Sequence, residues 1–194
     1  ETDKNYRDVV GNVFEEDYDE ARKLLEEAGY PNGEGMPEII FITMASQSNV
    51  DVAQALQSMW KENLGVEVSI QTFESKVYWD ELHEGNCHMA RDGWTGDYPD
   101  PMSTLEIFVD TDTNARWYGK GSEEFDRLLD ENMKTINQGV RMENFLKAEK
   151  ILADEMPAIP IYFYQDSYLC KPYVKGVIKN YIGHTLFEYA YIEK

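Results

Sequence analysis

Residues 38–71, EIIFITMASQSNVDVAQALQSMWKENLGVEVSIQ, carry the pattern that decides the fold. Residues 38–44 (EIIFITM) are a short apolar, β-branched run, the composition of a strand buried on both faces. Over 50–64 the repeat lengthens: Val52, Leu56, Met59 and Trp60 recur on one side of a helix, and Gly65 supplies the stop. Val66, Val68 and Ile70 then alternate with Glu67, Ser69 and Gln71, the period-two signature of a second strand. Ser75 is placed to cap a helix over 76–84 that stops near Gly85, and 87–92 (CHMARD) reads as a third strand. The order β-α-β-α-β predicts an α/β lobe with helices packed on a sheet.

Upstream, a helix is predicted over 18–28. Asp17 is its N-cap and Glu20 completes a capping-box pattern. Ala21, Leu24, Leu25 and Ala28 form its apolar side, and Gly29 ends it. Residues 1–15 are a polar lead-in with little periodicity. Downstream of residue 93 the pattern changes. Gly96, Pro99 and Pro101 make 94–101 turn-rich. Helices follow over 122–136, capped by Ser122, and over 140–155, with Phe145, Ala148, Ile151 and Leu152 on one side. Pro157 and Pro160 end the second of these. Residues 159–164 (IPIYFY) read as a strand, with weaker strand signals near 186–192.

The chain has 194 residues, enough for one domain with a sizeable core. Its 37 Asp and Glu against 18 Lys and Arg give a net charge of -19. Such a chain repels phosphate backbones and anionic lipid, so nucleic acid is not an expected partner. No apolar run approaches the roughly 20 residues that span a bilayer. The opening residues, Glu1-Thr2-Asp3-Lys4, are neither a signal peptide nor a lipidation motif. Cys87 and Cys170 do not make a disulfide framework; a single bridge and two buried thiols both stay open.

Several residues invite chemistry. His83, Cys87 and His88 cluster, but structural zinc takes four ligands and successive strand residues face opposite ways, so no metal is expected. Asp97 and Asp100 resemble the paired carboxylates of a hydrolase. Yet neither a G-x-S-x-G elbow nor H-E-x-x-H is present, and no base is positioned beside them. Read from the residues alone, Asp97 fits an Asx turn in a Gly–Pro loop, Arg91 a surface ion pair, and Trp94 a core position.

A set of blocks recurs in order along the chain: LLEEAGY, WKENLGVEVSIQTFE, ARDGWTGDYPDP, SEEFDRLLDE, AEKILADEMPAIPIYFYQ and LCKPYVKG. From about residue 17 onward this resembles the extracellular solute-binding proteins that serve peptide and nickel importers. The resemblance implies a type II periplasmic-binding-protein-like lobe, a mixed sheet flanked by helices. Members are two-lobed and trap ligand between lobes joined by a hinge. Residues 1–165 would be the second, ligand-binding lobe, and 166–194 a tail crossing back to the first lobe, which this chain lacks. A signal peptide would precede that first lobe. The implied location is the extracellular side of the bacterial cytoplasmic membrane, in the periplasm or at the cell surface as a lipoprotein. The implied partners are short peptides, the membrane subunits of an ABC importer, and the absent first lobe. No catalysis and no cofactor are implied.

Within the family, the GWTGDYPDP block is most similar to that of the oligopeptide receptors. There the acid of this block binds the peptide's α-ammonium, a role that carries over to Asp97. Arg91 stands where those receptors have an arginine able to meet the peptide's C-terminal carboxylate. Trp94 and Thr95 would line the peptide channel, with backbone near 93–97 pairing as an added strand does. Asn49 stands where some relatives carry a histidine for the carboxylate of longer peptides, so one positive charge is missing here. Other cargo (a dipeptide, a nickel chelate or a sugar), an acid-loop hydrolase and a purely structural interaction domain stay open as alternatives.

Overall fold

The computed structural model describes residues 7–8, 11–109, 122–165, 167–180 and 183–193. They divide into two compact units, Glu15–Gly93 and a second comprising Trp94–Lys194 with Glu1–Phe14. Most of the polar lead-in, and residue 166 where the tail was expected to begin, lie outside the described residues.

In the Glu15–Gly93 unit, α1 (Tyr18–Glu27) is followed by β1 (Ile39–Met44), α2 (Gln47–Leu64), β2 (Val68–Phe73), α3 (Ser75–Glu84) and β3 (Met89–Ala90). The strands form one sheet in the order β2-β1-β3, both pairings parallel, with Phe41 opposite Ile70 on one side and Met89 on the other. A parallel neighbour requires a crossover, and the two helices supply it. Strand β1 is central, which explains its unbroken apolar run. Phe41, Ile42 and Thr43 are all buried, and alternate residues serve opposite faces. Phe41 joins Ala53, Val66 and Val68, with Leu56 and Trp60 of α2 and Leu25 of α1 packed on them. Ile42 joins Tyr78 of α3 and Cys87. Burying a side chain such as Phe41 or Ile42 contributes about 1.5–3 kcal/mol.

The helix ends follow capping chemistry, with two departures from expectation. Asp17 Oδ1 accepts from the N–H groups of Asp19 and Glu20, but the Glu20 carboxylate turns to Lys23, 3.2 Å away, and does not close a capping box. Ser75 is the first residue of α3 and not its cap; Glu74 holds that position without a side-chain bond. Gly65 ends α2 at φ 70, and a Cβ there would lie 2.0 Å from the Asn32 carbonyl oxygen. Only glycine permits both the left-handed backbone and this approach of the 31–33 turn.

In the second unit a short helix α4 (Met102–Leu105) precedes α5 (Glu123–Lys134) and α6 (Gln138–Glu155). Phe125, Leu128 and Leu129 of α5 interlock with Phe145 and Ala148 of α6 over Met102 and Leu105. Helix α6 stops at Met156, which takes the left-handed conformation at φ 46, its N–H donating to the Leu152 carbonyl, and Pro157 follows. The strand expected over 159–164 does not form among the described residues. Ile159, Ile161, Tyr162, Phe163 and Tyr164 are exposed, and no described strand supplies a ladder for that backbone. The tail instead holds two small antiparallel ladders, β4 (Val174–Lys175) with β7 (Tyr191–Ile192) and β5 (Ile178–Lys179) with β6 (Thr185–Leu186). The parallel and antiparallel pairings of the expected mixed sheet are thus divided among separate sheets. Among the described residues no helix is long and apolar enough to cross a membrane.

Candidate functional site

Asn49 and Arg91 stand at the carboxyl-terminal edge of the parallel sheet, where ligands bind in open α/β folds. Asn49 lies in the first turn of α2, just after β1. Its N–H donates to the capping Ser46 Oγ at 3.4 Å, and its side chain is half-buried. Arg91 follows β3 directly. Its N–H donates to the Ile42 carbonyl at 3.0 Å, and its own carbonyl accepts from the Tyr78 hydroxyl at 2.6 Å. The fully buried Tyr78 thereby fixes the backbone from which the half-buried Arg91 side chain extends.

Trp94, Thr95 and Asp97 belong to the second unit, where Ser103 of α4 gathers the loop. Trp94 Nε1 donates to the Ser103 carbonyl at 2.8 Å, and Asp97 N–H donates to Ser103 Oγ at 2.7 Å. Ser103 is 1 % exposed, whereas Trp94, Thr95 and Asp97 are exposed. Trp94 is therefore not the core residue that its type alone suggests. Among the described residues nothing donates to the Asp97 carboxylate, although its backbone is held.

Asp100 is different. Both its oxygens accept from Arg141 Nη2, at 2.9 and 2.8 Å, and Oδ1 also accepts from Met102 N–H. Arg141 lies over the Phe145 ring of α6, 5.3 Å from its centroid. Asp100 is thus consumed in tying the loop to the helical core. The two carboxylates of the loop therefore stand in different surroundings, one paired and the other exposed. Between them stands Tyr98, 40 % exposed as a residue; partial desolvation of its phenol and then the Glu106 hydrogen bond push it up to about 12.

Ser103 and Arg141 were missed by sequence reasoning. Serine six residues beyond Asp97 is an ordinary helix-start residue, and an arginine 41 residues from Asp100 gives no local signal. His83 stacks near Trp79, His88 Nδ1 accepts from Ile40 N–H at 2.9 Å, and Cys87 is buried while His88 is exposed. Among the described residues no three His, Cys, Asp or Glu side chains gather to hold a metal. Cys170 is an exposed free thiol in the tail, so the alternative of two buried thiols does not hold. A shallow hollow of about 300 Å³, lined by residues including Arg22, Lys23, Pro31 and Asn32, contains none of the candidates. Its cations are already paired, Arg22 with Asp19 and Lys23 with Glu20.

The geometry can be set beside known proteins. The family model of bacterial extracellular solute-binding proteins, family 5 (middle), matches residues 1–116. The oligopeptide-binding protein OppA of Bacillus subtilis is 37% identical over 171 residues, 88% of this chain and 31% of that protein. Haemophilus influenzae OppA, solved in complex with RPPGFSPFR, is similar over 82% of this chain and 31% of its own, with 32% identity and a TM-score of 0.71. The Escherichia coli murein tripeptide binding protein MppA matches over 82% of this chain and 31% of its own, with 33% identity and a TM-score of 0.72. The chain therefore spans about a third of the length of these relatives. Its α/β fold is that of periplasmic solute-binding proteins. An ordered set of sequence blocks, a parallel sheet with Asn49 and Arg91 at its carboxyl edge, and a family match over residues 1–116 lead to one conclusion: this chain belongs to the bacterial extracellular solute-binding proteins of family 5.

Proposed function

We propose that this chain is the ligand-binding lobe and tail of an extracellular oligopeptide receptor that delivers peptides to an ABC importer. The observation that carries the reading is Asp97: an exposed carboxylate with no donor among the described residues, on a backbone held by Ser103. A carboxylate so presented suits a peptide's α-ammonium. The charge-assisted hydrogen bond contributes about 1.5–3 kcal/mol net, which corresponds to about 10- to 100-fold in affinity. It also sets the peptide's direction. The OppA relatives support the cargo.

The other roles follow the resemblance. Arg91 meets the C-terminal carboxylate, Trp94 and Thr95 line the channel, and Asn49 leaves the charge of a longer peptide's terminus uncompensated. Residues 1–165 form the second lobe, and 166–194 return to the first; the exposed apolar side chains of the tail support a covering partner. Peptide that contacts both lobes favours the closed form by its differential affinity for the two states. The closed receptor engages the importer's membrane subunits at the extracellular face. Its role is binding and not catalysis.

Calorimetric titration of the full-length parent with short peptides, free and N-acetylated, tests this. The free peptides bind tightly, and acetylation or Asp97→Ala weakens binding by about tenfold or more. Equal affinity for free and acetylated peptides refutes the ammonium role, and no binding of any peptide refutes the cargo.

A further inference from the structure

Three points of the 94–100 loop converge on one buried residue. The indole of Trp94 donates to the Ser103 carbonyl at 2.8 Å, the N–H of Asp97 donates to its hydroxyl oxygen at 2.7 Å, and Ser103's own N–H donates to the Asp100 carbonyl at 3.0 Å. Asp100 is in turn held by Arg141. Gly96 lies against the same side chain: a Cβ there would sit 3.4 Å from Ser103 Oγ. A contact group in a binding site is effective only when neighbouring groups lock its geometry. The exposed Asp97 carboxylate has no such lock of its own among the described residues, so its position derives from its backbone.

We infer that Ser103 is a positioning residue that holds Asp97 for an amine-bearing ligand, through the hydrogen bond from Asp97 N–H to its hydroxyl oxygen. This rests on the reading of Asp97 as the ammonium contact. Trp94 is held through the Ser103 backbone, which a side-chain change leaves in place. The serine hydroxyl therefore acts on Asp97 selectively.

The experiment uses the full-length parent, wild type and Ser103→Ala, with one short peptide in free and N-acetylated forms. Affinity for the free peptide falls about tenfold in the variant, the effect of one such hydrogen bond. Affinity for the acetylated peptide stays the same, so the ratio between them collapses. A merely structural role would weaken both peptides equally, and that result, or no change in either, overturns the inference. A wild-type receptor that does not distinguish the two peptides overturns the reading of Asp97 and the role of Ser103 with it. Amide hydrogen exchange supplies a check that needs no variant. The Asp97 amide is protected in the wild type, and exchange at the rate of an open loop amide refutes the bond on which the inference stands.

Discussion

Replacing Tyr78 by phenylalanine removes one oxygen atom and little else. The ring is 0 % exposed and packs against Ile42 and Cys87, with Trp79 edge-on at 5.3 Å; phenylalanine keeps these contacts and leaves no cavity. What is lost is the hydroxyl's hydrogen bond to the Arg91 carbonyl at 2.6 Å. A bond of this kind is worth about 1 kcal/mol net, and the loss of the donor to a part-buried acceptor adds to that cost. The expected loss is about 1–2 kcal/mol. With a urea m-value of about 2 kcal/mol/M, the unfolding midpoint falls by roughly 0.5–1 M at unchanged m. Urea titration followed by tryptophan fluorescence measures it, since Trp79 touches the mutated ring. An unchanged midpoint would refute the bond. A loss above about 4 kcal/mol would refute the claim that packing is preserved. In the full-length parent, the same variant weakens binding of peptides with a free C-terminal carboxylate more than of their amides, because Arg91 extends from the loosened backbone.

The Asp100–Arg141 pair is 24 % and 18 % exposed, so a double-mutant cycle of Asp100→Asn and Arg141→Met gives a coupling energy of about 1–3 kcal/mol by thermal or urea unfolding; a coupling of zero refutes its role as an anchor. Tyr98 is pushed up to about 12 in the folded protein from an ordinary 10.0, chiefly by partial desolvation and then by Glu106. A phenol with a raised folded pKa contributes stability that is fully present below pH 10 and is lost as pH rises from 10 through 12, because the unfolded chain ionises first. The tyrosinate absorbance difference between wild type and Tyr98→Phe reports that late titration. Glu106→Gln moves it downward, and no movement would assign the whole shift to desolvation.

Much of the fold is legible in local patterns. The strand at Ile39–Met44, the helix ending at Gly65 and the period-two strand at Val68–Phe73 all form within two or three residues of where the side-chain repeat places them. Capping residues such as Asp17 and Ser122 act within three residues, so their signals are local too. The errors occur where local preference needs a partner. IPIYFY has strand composition, but a strand exists only when another backbone pairs with it, and none of the described strands does so. The ladders at Val174–Lys175 and Ile178–Lys179 are two residues long and carry too little periodicity to be read.

The candidate site divides in the same way. By itself the sequence determined the α/β order of elements and the turn at 94–101, because repeat length and turn chemistry are written along the chain; the candidates in that turn came from the resemblance. Residue type and turn chemistry did not separate Asp97 from Asp100, two carboxylates in the same turn; the resemblance to the oligopeptide receptors singled out Asp97. The different partners of the two acids are set by the tertiary structure. Packing α6 against α5 and α4 brings Arg141 onto Asp100, while Ser103 takes the Asp97 backbone and leaves the Asp97 carboxylate outward. The partner of an ionised group is set by what lies nearby in space, and its neighbours in sequence do not specify it.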